Sequence, residues 1–86
     1  MNYTGNQKLF YDSVMESIAE DKSISRLRKF VLRRRMMRPR FVQLAMEEYQ
    51  ADLQWEDPDQ PVAIDWENID WEKLLNILLV LLKLFA

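Results

Sequence analysis

The sequence predicts an all-α fold, a small helical bundle of three to four helices completed by oligomerisation or by a partner. Three observations carry this. Apolar residues recur at helical spacing in several separate stretches. Only one Gly and three Pro interrupt the chain, so few positions break a helix. The final segment, Leu74 to Ala86, reads LLNILLVLLKLFA, with only Asn76 and Lys83 polar. A helix that apolar must be covered by its own core, by a partner, by copies of itself or by lipid. At 86 residues the chain is expected to be one domain, 1–86. Such a domain buries only about 60–65% of the surface its unfolded chain exposes, which leaves it marginally stable alone. The chain has no Cys and no His. Disulfides, thiolate or imidazole metal sites, a Cys nucleophile and a Ser-His-Asp triad are therefore ruled out. Oligomerisation or a protein partner is the expected stabiliser.

The first helix is expected at about 5–20. Thr4 and Gln7 have capping-box spacing. Phe10, Tyr11, Val14, Met15 and Ile18 share one face, and Asp12, Glu16 and Glu20 another. The second helix is expected at about 24–38 with Ser23 as N-cap, because Pro39 disfavours helical geometry at Arg38. Nothing in the sequence forces a break between these two helices, so one continuous helix is an alternative. The third is expected at about 40–54. Val42, Met46, Tyr49 and Leu53 form its apolar stripe, widened by Phe41 and Ala45, opposite Gln43, Glu47, Gln50 and Gln54.

An acidic, proline-containing loop is expected at about 55–65. The unit IDWEN at 64–68 is followed at once by IDWEK at 69–73. Each Asp reads as a cap. Asp70 as N-cap puts Ile69 and Leu74 in hydrophobic-staple positions and Glu72 in the first turn. The fourth helix is then expected at about 71–86. Its sixteen residues reach about 24 Å, short of the roughly 30 Å of a bilayer core, so an integral membrane span is not expected.

Charge is arranged in blocks. Residues 22–40 carry nine Lys or Arg and no acid; residues 41–72 carry ten acids and no base; the net charge is −2. On the second helix Ile24, Leu27, Phe30 and Val31 mark an apolar face, which continues into Arg34 and Arg38. Its second half is therefore not expected to enter an apolar core unless the guanidinium groups are paired.

Arg33, Arg34, Arg35, Arg38 and Arg40 are the candidate anion-binding or acidic-partner-binding residues. The acids of the same chain, among them Glu47, Glu48 and Asp52, are one expected partner, and nucleic-acid phosphates another. The sequence pI of about 5.1 speaks against phosphates, because nucleic-acid-binding domains typically exceed about 9.

The candidate interface is Trp66, Trp71, Leu74, Leu75, Ile77, Leu78, Leu81, Leu82 and Phe85, since the apolar arc of the last helix is wider than a two-layer packing needs. The two Trp residues could be interface anchors. Closing the end of a helical core or lying in an intersubunit contact is the expected use, since apolar area is scarce in so small a chain. Glu48 and Asp52 share a helix face, but no second carboxylate pair or Glu-x-x-His accompanies them. Asp57-Pro58-Asp59 opens like a calcium loop, yet Val62 and Asn68 occupy the positions that need Gly and Glu.

No cofactor, metal site or enzymatic activity is expected. The expected function is a non-enzymatic assembly or interaction protein that self-associates or docks to a protein partner through the C-terminal helix, with the Arg-rich helix on an acidic surface. The alternatives are a nucleic-acid-binding accessory protein using the basic helix, and a membrane-surface protein anchored by the last helix. The N-terminal residues lack the features of a secretory signal, which makes the cytoplasm the expected location. Size and composition also fit small accessory proteins of viruses or phages.

Overall fold

The computed structural model describes residues 3–56 and 64–84. Four α-helices follow in order: α1 (Gly5–Glu20), α2 (Arg26–Met36), α3 (Pro39–Glu56) and α4 (Trp71–Leu84). The all-α fold expected from the sequence is the fold observed, and no strand occurs among the described residues. Helix α3 is the central element, packing against each of the other three, while α1 also packs against α2.

Helix α1 starts where the sequence places it, but not by the expected cap. Thr4 occupies the N-cap with extended backbone and its side chain makes no capping bond. The start is set instead by Gly5, whose φ of +59° lies in the left-handed region that glycine alone enters without strain. The face foreseen for α1 is the buried one: Phe10, Val14 and Ile18 are fully covered, with Tyr11 and Met15 half-buried beside them.

Helices α1 and α2 are separate. The break is built by Asp21, whose Oδ1 accepts bonds from the backbone N–H of Ser23 (2.7 Å) and from its hydroxyl (2.5 Å). This turn uses Ser23 to close the connection, so the N-cap of α2 is Ser25, which accepts from the Arg28 N–H at 3.2 Å. Helix α2 accordingly spans Arg26–Met36, shorter at both ends than the expected 24–38. Lys29 Nζ reaches back to the Ala19 carbonyl at 3.2 Å, satisfying one of the acceptors that α1 leaves open at its C-terminus.

Pro39 takes the first position of α3, where its missing N–H costs nothing and its fixed φ suits a helix. The helix runs to Glu56, two residues past the expected end. Its stripe is as foreseen: Phe41, Val42, Ala45 and Tyr49 are buried, Met46 and Leu53 pack against the core, and Gln43, Glu47, Gln50 and Gln54 are exposed.

The duplicated IDWE unit is used twice in different ways. Asp65 closes a single turn, accepting from the Glu67 N–H at 3.1 Å and from the Asn68 side-chain amide at 2.9 Å. Those two bonds, the Asn68 bond foremost, hold the Asp65 carboxyl below the ordinary Asp range. Asp70 caps α4 as expected, accepting from the Lys73 N–H at 3.3 Å, with Ile69 and Leu74 both in the core cluster. The segment 57–63, most of the acidic loop, and the Asp57-Pro58-Asp59 motif within it lie outside the described residues.

One cluster of apolar side chains fills the centre. Phe10, Ile18, Leu32, Met36, Leu74 and Leu78 are among its largest fully buried members, and with Val42 of α3 also fully buried every helix contributes. Polar contacts at its margin fix how the helices meet. The Ser13 hydroxyl lies 3.0 Å from the Trp66 carbonyl and 3.2 Å from that of Glu67, tying α1 to the turn before α4. The Asp70 N–H donates to Tyr49 Oη at 2.9 Å, tying α4 to α3. Tyr3 donates to the Met36 carbonyl at 2.8 Å and stacks, tilted, on Tyr11 at 4.9 Å between ring centroids. Burial, with Tyr11 nearby, pushes the Tyr3 hydroxyl above its ordinary pKa.

Candidate functional site

The Arg-rich helix is turned opposite to the sequence expectation. Leu27 is 75% exposed and Phe30 59% exposed, and Val31 is only half-buried. Leu32 and Met36, one turn apart on the other side, are fully buried. The face marked by Leu27, Phe30 and Arg34 therefore looks outward. The physical reason is the one that makes buried charge costly: this rotation puts two large apolar side chains inside and sends Arg33 and Arg34 to solvent. Ile24, just before the helix, is the single member of the expected face that is buried.

The outward face is chemically mixed. Leu27, Phe30 and Met37, the last also 60% exposed, follow one another along it with Arg34 between them and Arg33 alongside. Arg33, Arg34 and Arg35 occupy the last turn, where positive charge is favoured by the helix dipole. Arg33, Arg34, Arg38 and Arg40 are exposed and Arg35 is half-buried. Among the described residues no carboxylate pairs with Arg33, Arg34, Arg38 or Arg40.

Of the acids expected to meet them, Asp52 is engaged elsewhere. Lys73, at the start of α4, sits between Asp52 (3.6 Å) and Glu56 of α3. These contacts, Glu56 first, raise the Lys73 ammonium above its ordinary pKa. The pair of α3 acids that the sequence offered as chemistry thus divides: Asp52 helps to clamp the α3–α4 junction, and Glu48 stays exposed.

Between α3 and α4 runs an open groove of about 700 Å³. Glu48 and Asp52 line it from α3, Asp70 from the cap of α4, Glu72, Lys73 and Asn76 from the first half of α4, and Ile77, Val80, Leu81 and Leu84 from the second half. It is acidic at one end and apolar at the other. Val80 is 57% and Leu84 73% exposed, which makes them the open apolar edge of α4.

The rest of the candidate interface is largely turned inward. Leu74, Leu78 and Leu81 are buried in the chain's own core, and Leu75, Ile77 and Leu82 are half-buried against it. Phe85 lies outside the described residues. Trp66 packs edge-on to Phe10, with centroids 5.5 Å apart, and lies 6.1 Å from Tyr49. Trp71 donates its indole N–H to Asp21 Oδ2 at 2.8 Å. Both are thus bound into the chain's own packing. A third tryptophan, Trp55 near the end of α3, is 85% exposed.

Asp21 is a residue the sequence reading missed. It joins the α1–α2 turn to the start of α4, and its carboxyl is held below the ordinary Asp range by the Ser23 hydroxyl, then by the Trp71 indole and the Ser23 N–H. The only local signal was the Asp-x-Ser spacing of an Asx-type turn. Its partner fifty residues on has no sequence signature.

Comparison with protein-family models, with curated proteins and with solved structures gives no match. What fold and surface define is a class: a small all-α bundle with a sealed core, a basic and partly apolar outer helix face, and an acidic groove ending in an apolar edge. No helix among the described residues is long and apolar enough to cross a membrane, and no group of three or more carboxylates there is placed to hold a metal ion.

Proposed function

We propose that this chain is a non-enzymatic assembly module that joins copies of itself, or a protein partner with a similar acidic surface, through the outer face of α2 and the open edge of α4. The observation that supports it is the exposure of Leu27, Phe30 and Met37 beside Arg33 and Arg34, with which no carboxylate pairs among the described residues. Large apolar groups left in line on a small domain are the usual mark of a surface that another protein covers. Arginine and aromatic side chains are also the types that carry binding energy at interfaces. Among the described residues of α4, Val80 and Leu84 form the open edge, because Leu74, Leu78 and Leu81 are buried and Leu75 and Leu82 pack against the core.

Nucleic-acid binding is the second reading, favoured by the exposed Arg33, Arg34, Arg38 and Arg40. The apolar side chains interleaved with these arginines offer nothing to a phosphate backbone, and the net charge of −2 opposes approach to it.

Sedimentation velocity on the full chain, with Leu27→Glu/Phe30→Glu as control, separates the readings. Assembly predicts a mass above that of one chain at micromolar concentration and its loss in the variant. A single-chain mass throughout, with DNA or RNA binding that is steeply salt-dependent and survives the variant, moves the conclusion to nucleic acid. Co-flotation with anionic vesicles in place of assembly moves it to the membrane surface. Deleting 74–86 does not serve as the test, because it removes Leu74, Leu78 and Leu81 from the core.

A further inference from the structure

Resting on the assembly reading, we propose that the α3–α4 groove receives the outer face of α2 from a second copy of this chain, so that copies join head to tail. The two surfaces are complementary in charge. Glu48, Asp70 and Glu72 border the groove, and α2 carries only cationic ionisable side chains. They are also complementary in apolar content. The groove ends in Ile77, Val80 and Leu84, and the α2 face presents Leu27, Phe30 and Met37.

The spacing suits a helix laid in a groove. Leu27, Phe30, Arg34 and Met37 fall at i, i+3, i+7 and i+10, the register by which a helix presents one face to a cleft. From Leu27 to Met37 this face is about 15 Å long at 1.5 Å per residue, and the α4 wall of the groove is about 21 Å. The contact cannot form within one chain, because the face that bears Leu27 and Phe30 points away from the core on which α2 packs. Each copy therefore offers one groove and one basic face. Such a contact is heterologous: it closes into a ring if the rotation per copy permits and otherwise grows as a filament.

Charge reversal with mixing tests it. Variant one is Arg33→Glu/Arg34→Glu; variant two is Glu48→Lys/Glu72→Lys, with Glu48→Lys alone as a milder form should the pair unfold. Each is checked for helix content by circular dichroism and then sedimented alone and mixed one to one. Like charges now face each other in either variant, so self-association is expected to weaken by at least about tenfold. In the mixture every groove meets an oppositely charged face, and assembly returns. Restoration on mixing supports the docking. If either variant alone assembles as the parent does, or the mixture stays dissociated, the docking is overturned while assembly by another surface stands. If the parent chain is monomeric at high micromolar concentration, the docking and the self-association reading fall together.

Discussion

Helices α2 and α4 invert one another. The most apolar helix of the chain, α4, turns most of its leucines into the chain's own core and leaves Val80 and Leu84 as its open apolar edge. The most cationic helix, α2, hides only Leu32 and Met36 and displays Leu27, Phe30 and, at its C-cap, Met37. Average hydropathy therefore says little about which helix offers apolar surface to a partner. What decides is how much of each helix the neighbours can cover. Helix α4 lies against central α3, with Ile64, Trp66 and Ile69 of the preceding segment also packed on the core. For α2, the five arginines and one lysine among its eleven residues leave one narrow strip that can be buried without burying charge.

The largest expected effect tests the α4 side of this contrast. Leu78 is fully buried, and Leu78→Ala is expected to cost about 3 kcal/mol through lost transfer energy and the cavity left behind, read from thermal or urea unfolding. A cost below about 0.5 kcal/mol, the size of an ordinary surface substitution, would show that α4 is not core.

The sharpest test lies within α2, where residue type is constant. Leu32→Ala is expected to cost about 3 kcal/mol and Leu27→Ala less than about 0.5 kcal/mol. Equal costs, or the reverse order, would restore the orientation suggested by the helical wheel and remove the exposed face on which the proposed function stands. Phe30→Ala is expected to leave stability nearly unchanged while weakening self-association, a split visible by running unfolding and sedimentation on the same sample.

A smaller effect concerns how the start of α4 is held. The Asp21 carboxyl, depressed in the folded chain by Ser23 and Trp71, favours the folded state above its unfolded pKa. That contribution is lost as pH falls below the ordinary Asp value towards the depressed one. In Asp21→Asn the decline of the melting temperature between about pH 5 and pH 2 should be shallower than in the parent. An identical acid profile would mean that the bonds Asp21 accepts from Ser23 and Trp71 do not persist in solution. The elevated Lys73 ammonium works in the other direction: its share is present at neutral pH and is lost only as pH rises above the ordinary Lys range.

Much of the fold was readable because two of the four helices, α1 and α3, have an unambiguous buried face. Phe10, Val14 and Ile18 in α1, and Val42, Ala45 and Tyr49 in α3, follow the apolar period directly. The Asp70 cap followed from local chemistry alone. The α2 face was misread because two apolar strips exist on it: Leu27 with Phe30, and Leu32 with Met36. The wheel favoured the first, which Ile24 and Val31 extend, and packing against α1 and α3 selects the second. The groove was unreadable for a different reason. Its walls come from α3 and α4, and Glu48 and Glu72 line it from positions whose separation in sequence no local period encodes.

The three tryptophans stand in three different surroundings, which makes the chain its own optical reporter. Trp66 is shielded by aromatic neighbours, Trp71 is held by a carboxylate, and Trp55 stands almost wholly in water. A diffusing quencher such as acrylamide would dim Trp55 in the native chain and reach Trp66 fully only on unfolding. With Trp55→Phe as the background, the remaining emission would follow the junction of α1, α4 and the turn before α4. With Trp55 retained, the readily quenched fraction would report on the C-terminal end of α3, close to the acidic rim of the groove.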